Sequence, residues 1–499
     1  MKKKLAILLL IVILSFSGCG ITQIDPTEET PHPTPGSNIR SGSKDGFSWE
    51  VDGNTLIVTG EGTLSNLFSE EWGNLVYEIT ELKLDPRITA IGSETFSMLF
   101  QLKGELVLHE GLISVGERAF NSVAHSMSIT HLPSSLKRIG KRAFESFTLP
   151  ETLVIPETIE YIDDEAFADN FGMKTLILNN ETQYGKKVFS GSLSLENVQL
   201  PEDFDNISRL MFRDCINLKS INLPKNLKTL PHGIFMNCQS LAEIEIPNTV
   251  TEIGSCAFLG CNALESISLP DHLLIIEERA FENCTSLTEI SIPASVNTIG
   301  QLPFSGCTAL DFIQVSESNP HYSNDVQGAL YNKDKTWIIQ VTPGKTGSFY
   351  IPNTVSQLEP WTFQYTLYSE IIVPESVKTL RWQALGNSDK LKKIILPDSI
   401  TDFQREMFKD CPKLEVVRLP SNLDILKANT FTNCKSLKEV HLPASITRIE
   451  THAFRGCSEL RDIYFEGSRE QWQNIEIWGH NEELKEFKIH YNVPYPPYE

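Results

Sequence analysis

Between Leu241 and Asn262 the chain reads LAEIEIPNTVTEIGSCAFLGCN, and its apolar positions change rhythm twice. Ile244 and Ile246 alternate with Glu243 and Glu245, the period-two pattern of a short strand with one buried face. Pro247 donates nothing to a ladder and so ends that strand. Val250 and Ile253 then turn inward three residues apart, followed by Ala257-Phe258 and Cys261. One such unit points six or seven apolar side chains to one side, more than a lone coil can bury.

The unit repeats. Pro201, Pro224, Pro247, Pro270 and Pro293 step by 23, as do Pro397, Pro420 and Pro443 and the pair Pro133 and Pro156. A second column keeps the same step: Phe144, Phe167, Phe189, Phe212, Phe235, Phe258, Phe281 and Phe304. Phe96 and Phe120 precede it, and Phe363, Leu385, Phe408, Phe431 and Phe454 resume it after a gap. About fifteen units at this period predict a stacked-coil, β-rich solenoid, because side chains that recur at a fixed step must pack on copies of themselves. Asp214, Asn237, Gly260, Asn283, Gly306, Asn433 and Gly456 stand just before the recurring Cys. These residue types tolerate positive φ, so a sharp corner is expected there.

This pattern resembles the BspA-like leucine-rich repeats of bacterial surface proteins, over roughly residues 44–492. The flanks are similar too. FSWEVDGNTLIVTGEGTL looks like the small β module that precedes such repeats, and IYFEGSREQWQNIEIWGHNEELKEFKIHYN like their closing unit. The resemblance implies a β module over 44–80, repeats over 81–315 and 351–465, and a cap over 466–499. Ser468-x-x-Gln471 has capping-box spacing and opens a short helix carrying Trp472 and Ile475. Residues 316–350 interrupt the series. GALYNKDKTWIIQVTP, at their centre, reads as a hairpin around Asn332-Lys333-Asp334-Lys335.

The N-terminus adds an address. MKKKLAILLLIVILSFSGCG has a basic start, a short apolar run and small residues, the layout of a secretory signal over 1–18. Phe16-Ser17-Gly18-Cys19 resembles a bacterial lipobox, which implies lipid attachment at Cys19. Residues 19–43, rich in Pro, Thr, Ser and Gly, read as a flexible tether. The expected location is outside the cell, lipid-anchored to the bacterial membrane, with no other membrane contact. Lys and Arg total 43 against 64 acidic residues, a formal charge of −21. Nucleic acid needs cationic contacts, so it is excluded as a partner class.

Chemistry is scarce. No CxxC, HExxH, GxSxG or phosphate-cradling glycine loop occurs, and the eleven histidines show no metal-ligand spacing. No catalytic residue, metal site or cofactor is predicted. Cys215, Cys238, Cys261, Cys284 and Cys307, then Cys411, Cys434 and Cys457, form a ladder. Coils about 4.8 Å apart would bring neighbouring Cα atoms within disulfide reach. Stacked side chains point in parallel, however, so free buried thiols are expected.

The candidate ligand-facing residues are the outward strand positions two and four residues before each proline. They include Glu243, Glu245, Ser266, Ser268, Glu289, Ser291, Arg418, Glu439 and His441. Trp361 and Trp382 join them, because they occupy positions that are polar in most units. The resemblance implies adhesion to an extracellular protein or glycan. The alternatives are an envelope spacer without a specific ligand and an accessory subunit of a surface polysaccharide-degrading system.

Overall fold

The computed structural model describes residues 40–65, 73–120 and 126–496. The signal segment, the lipobox with Cys19 and nearly all of the tether lie outside the described residues. From Ser41 onward the chain is one unit, a β-solenoid of about 18 turns with parallel strands.

Each turn has three sides. In the coil from Leu241 to Leu264, the first side carries Ile244 and Ile246 and ends at Pro247, where Val250 N donates to Pro247 O at 3.0 Å. The second side is the two-residue strand Glu252–Ile253, paired in parallel with Thr229–Leu230 below and Ile275–Ile276 above. The third side turns sharply through Cys256 and Gly260, with φ of 56° and 73°. Its rungs are backbone bonds from one coil to the next, such as Phe258 N to Ala280 O at 2.8 Å. The expected positive φ holds at Asp214, Asn237, Gly260, Asn283, Gly306, Asn433 and Gly456. A second left-handed column, four residues earlier, includes Arg142, Glu165, Cys256 and Arg279. Such residues rarely adopt this conformation. The coil-to-coil bonds, Cys256 N to Glu278 O among them, offset its cost.

Inside, Leu241, Val250, Ile253, Ala257, Phe258, Cys261 and Leu264 are fully buried. The phenylalanines stack ring on ring, centroids 5.3 to 6.3 Å apart, from Phe96 to Phe304 and again from Phe408 to Phe454. All nine described cysteines are free. The ladder thiols are more than apolar rungs: each donates to a carbonyl of the coil below, as Cys261 Sγ does to Phe235 O at 3.2 Å.

The turns outnumber the fifteen phenylalanine-column units because both flanks join the ladders. Ser41–Lys44, Phe47–Asp52 and Thr55–Thr59 form an antiparallel meander, and Thr55–Thr59 pairs in parallel with Glu81–Leu84. The first of these strands begins upstream of residue 44, because the Asp45-Gly46 turn folds the Ser/Gly segment back onto Phe47–Glu50. At the other end the capping box forms, with Gln471 N donating to Ser468 Oγ and Ser468 N to Gln471 Oε1. Its helix, Arg469–Gln473, lays Trp472 against Phe465 at 5.4 Å and is capped at Asn474, so Ile475, expected on the helix, lies just past its end. Glu476–Ile477 and Lys488–His490 then complete the final turn.

The insert is a three-stranded antiparallel sheet, Tyr322–Asn324, Leu330–Asn332 and Ile338–Gln340, one strand more than the expected hairpin. It divides the buried apolar residues into two clusters, one from Phe47 to Leu330 and the other from Ala329 to Ile475.

Candidate ligand-binding site

On the first side of the coils, strand pairing runs from Thr152–Val154 to Ser220–Ile221 and begins again at Glu289–Ile292 with Phe312–Val315. Across the two coils between, at residues 243–246 and 266–269, no strand pairing is present among the described residues. The alternation of Ile244 and Ile246 with glutamates predicts a strand there. The chain is instead an unpaired segment, while the phenylalanine column behind it stays stacked at 5.6 and 5.3 Å. Backbone groups without a ladder partner are turned over to water or to a ligand.

Depressions follow this lapse. One of about 830 Å³ is lined by Ser266, Ser268, Asp271, Glu289, Ser291, Phe312, Gln314 and Ser316. A second, about 450 Å³, is lined by Ser220, Asn222, Glu243, Glu245, Ser266 and Ser268. A third, about 610 Å³, continues through Glu202, Asn222, Lys225 and Glu245. The shared lining residues make them one furrow. Glu243, Glu245, Ser266, Ser268, Glu289 and Ser291 are all exposed and all line it. Sequence reasoning missed Asp271, Gln314 and Ser316. Asp271 directly follows a column proline, and Ser316 opens the insert, so the strand positions alone did not mark them.

The C-terminal members of the row are placed differently. Arg418 pairs in register with His441, and His441 with Tyr464, so the column is real. Arg418 nevertheless does not face solvent: it is 5% exposed. Its guanidinium donates to Pro496 O at 2.9 Å, Leu396 O at 2.7 Å and Asp398 Oδ2 at 3.0 Å. Tyr495 lies over it, and the Tyr495 hydroxyl donates to Leu419 O at 2.7 Å. The C-terminal segment therefore covers this stretch of the face, which corrects the expectation for Arg418. Glu439 is exposed. His441 is half-buried, stacked on Tyr464 at 4.9 Å, which stacks on His490 at 4.6 Å. Burial pushes the His441 imidazole below its ordinary value, against the opposing pull of Glu439.

Trp361 and Trp382 meet edge to face, 4.7 Å between ring centres. They sit on the corner side of the coils, away from the furrow. Trp361 Nε1 donates to Gln383 Oε1 at 3.2 Å, and Arg405 lies over Trp382. Among the described residues no cluster of His, Cys, Asp and Glu could hold a metal ion. No described helix is long and apolar enough to cross a membrane.

Fold and furrow together define a leucine-rich-repeat scaffold with an open, polar face. Residues 73–186, 182–311 and 344–490 match the BspA type leucine rich repeat region in six copies, so the chain belongs to that family. Its members are often bacterial surface proteins, and leucine-rich-repeat solenoids are typically non-enzymatic. No curated protein matches. Solved structures are similar at low identity. A leucine-rich-repeat protein from Bacteroides ovatus is 19% identical, with 90% of this chain and 99% of that one covered and a TM-score of 0.45. A leucine rich cell surface protein from Faecalibacterium prausnitzii is 20% identical, covering 87% and 97% at a TM-score of 0.40. A leucine-rich repeat protein from Eubacterium ventriosum is 18% identical, covering 91% and 95% at a TM-score of 0.35.

Proposed function

We propose that this chain is a non-enzymatic binding protein of the bacterial surface, exported and held by lipid at Cys19, that engages an extracellular protein or glycan through its strand face. One observation carries the reading. The pairing lapse between Ser220–Ile221 and Glu289–Ile292 coincides with the furrow lined by Glu243, Glu245, Ser266, Ser268, Glu289 and Ser291. Small hydroxyls and carboxylates there leave room for a partner and supply hydrogen-bond acceptors at regular steps. Unpaired backbone adds donors and acceptors that a scaffold without a ligand would gain nothing by exposing. The acidic lining favours a partner rich in N–H and O–H donors or in positive charge.

The experiment is a binding screen of residues 40–499 against matrix proteins, mucins and a glycan array, with another solenoid of this family as scaffold control. A saturable partner absent from the control supports adhesion. Its absence across all three sets would favour a spacer instead.

A further inference from the structure

The insert leaves a gap in the corner side of the stack. Backbone rungs rise from Arg279, Phe281 and Asn283 to Gln301, Pro303 and Ser305, then next appear from Phe363 to Ala384. Ile338–Gln340 of the insert stands where the missing corner would be. It does not fill the space: a cavity of about 130 Å³ remains between the coil of Ile299–Leu302 and the coil of Glu359–Thr362.

Its lining is unlike the furrow. Trp337, on the insert, and Trp361, at a left-handed corner with φ of 61°, both contribute to it. Trp361 is held from behind by the edge-to-face contact with Trp382 and by its bond to Gln383, so its ring is fixed before anything binds. Gln340 also lines the cavity and is 3% exposed. Its Nε2 donates to Val341 O at 2.9 Å, while its Oε1 has no partner. A buried acceptor left unpaired costs about 1–3 kcal/mol, and a bound hydroxyl would relieve it. Glu359 also lines it; its carboxylate accepts from Gln357 Nε2 at 2.6 Å and pairs with Arg381 at 3.9 Å, which leaves lone pairs for a further donor.

We propose that this seam between insert and solenoid is a second binding site, for a single neutral sugar ring. A pyranose presents an apolar C–H face, suited to indole rings, and a rim of hydroxyl donors, suited to Gln340 Oε1 and Glu359. The cavity is smaller than the roughly 300–1,000 Å³ of ordinary small-molecule sites, so it would take one edge of a single terminal ring and leave the rest in solvent. No Lys, Arg or His lines the cavity, so an anionic sugar would find no charge partner in its lining. The site stands whether or not the strand face binds a partner.

Saturation-transfer NMR on residues 40–499 tests it, with glucose, galactose, mannose, N-acetylglucosamine and N-acetylgalactosamine as probes and sialic acid as the anionic comparison. At least one neutral sugar is expected to saturate, and Trp337→Ala and Gln340→Leu each to weaken it about tenfold. Trp478→Ala, an exposed tryptophan against Arg448 in the cap, is expected to change nothing. Trp337 is 46% exposed, so its replacement leaves the fold intact and decides the matter even if Gln340→Leu unfolds. The proposal is overturned by the absence of any saturable neutral sugar, by equal binding in Trp337→Ala, or by sialic acid binding as well as the neutral sugars.

Discussion

The guanidinium of Arg418 lies 5.3 Å from the ring centre of Tyr495, and this contact removes one residue from the open face of the solenoid. The tail that carries Tyr495 also supplies the Pro496 carbonyl to Arg418 Nε. Ending the chain at Asn492 should therefore destabilise the last coils by about 1–3 kcal/mol, through a lost hydrogen bond and a lost cation–π contact. Urea unfolding measures the loss. Mass spectrometry after phenylglyoxal treatment should find Arg418 modified in the shortened chain only. Equal stability and equal modification would mean that the tail does not hold Arg418.

Corner columns alternate for a steric reason. Asn237 donates to Asp214 Oδ1 at 2.7 Å, and a Cβ on Gly260, one coil above, would lie 2.5 Å from Asn237 Oδ1. With φ of 73° added, Gly260→Ala should cost about 1–3 kcal/mol. Asn237→Gly in the same chain should recover part of it by removing the obstructing side chain. A double-mutant cycle in thermal unfolding reads the coupling, and purely additive effects would contradict the steric account.

The cysteine ladder should be chemically silent. Burial raises the thiols of Cys215, Cys238, Cys261, Cys284 and Cys434, and those of Cys411 and Cys457 to about 12, so their thiolate is negligible at neutral pH. Cys256, half-buried on a corner, is the accessible one. Residues 40–499 treated with Ellman's reagent should release one equivalent of thiol when native and nine after denaturation. More than one in the native protein would show that the ladder opens.

Acid should act at His441. Burial between Tyr464 and the strand holds its pKa below 6.5, so the unfolded chain takes up a proton before the folded one. Its contribution is complete above about pH 6.5 and is lost as pH falls from there through the lower folded value. His441→Gln should flatten this part of the stability profile, measured by urea unfolding at pH 4.5 to 7.5. An unchanged slope would assign the acid sensitivity elsewhere.

Much of this was legible because a repeat turns spacing into contact. Residues 23 apart, such as Phe235 and Phe258, are neighbours in space, so the core, the corner just before each ladder cysteine and the row of outward positions follow from counting. The second left-handed column, at Arg142, Glu165, Cys256 and Arg279, has no turn-type residues to mark it. The cap was legible for a local reason, the reciprocal bonds of Ser468 and Gln471. Three features were not. The pairing lapse at 243–246 and 266–269 has the same alternation as paired coils, because it depends on how neighbouring coils lie and not on the composition of one. The covering of Arg418 comes from a tail outside the period. The cavity between Trp337 and Trp361 exists only because the insert stands in for a missing corner, a relation that no single stretch of sequence contains.

The most direct measurement compares wild-type residues 40–499 with the Ser268→Arg/Ser291→Arg variant for binding to the partner found in the screen. Both serines are exposed, so the variant should melt within about 0.5 kcal/mol of wild type while filling the floor of the 830 Å³ depression. The account predicts saturable binding by the wild type and at least a tenfold loss in the variant. Undiminished binding by the variant would contradict it, and would place the contact away from the furrow.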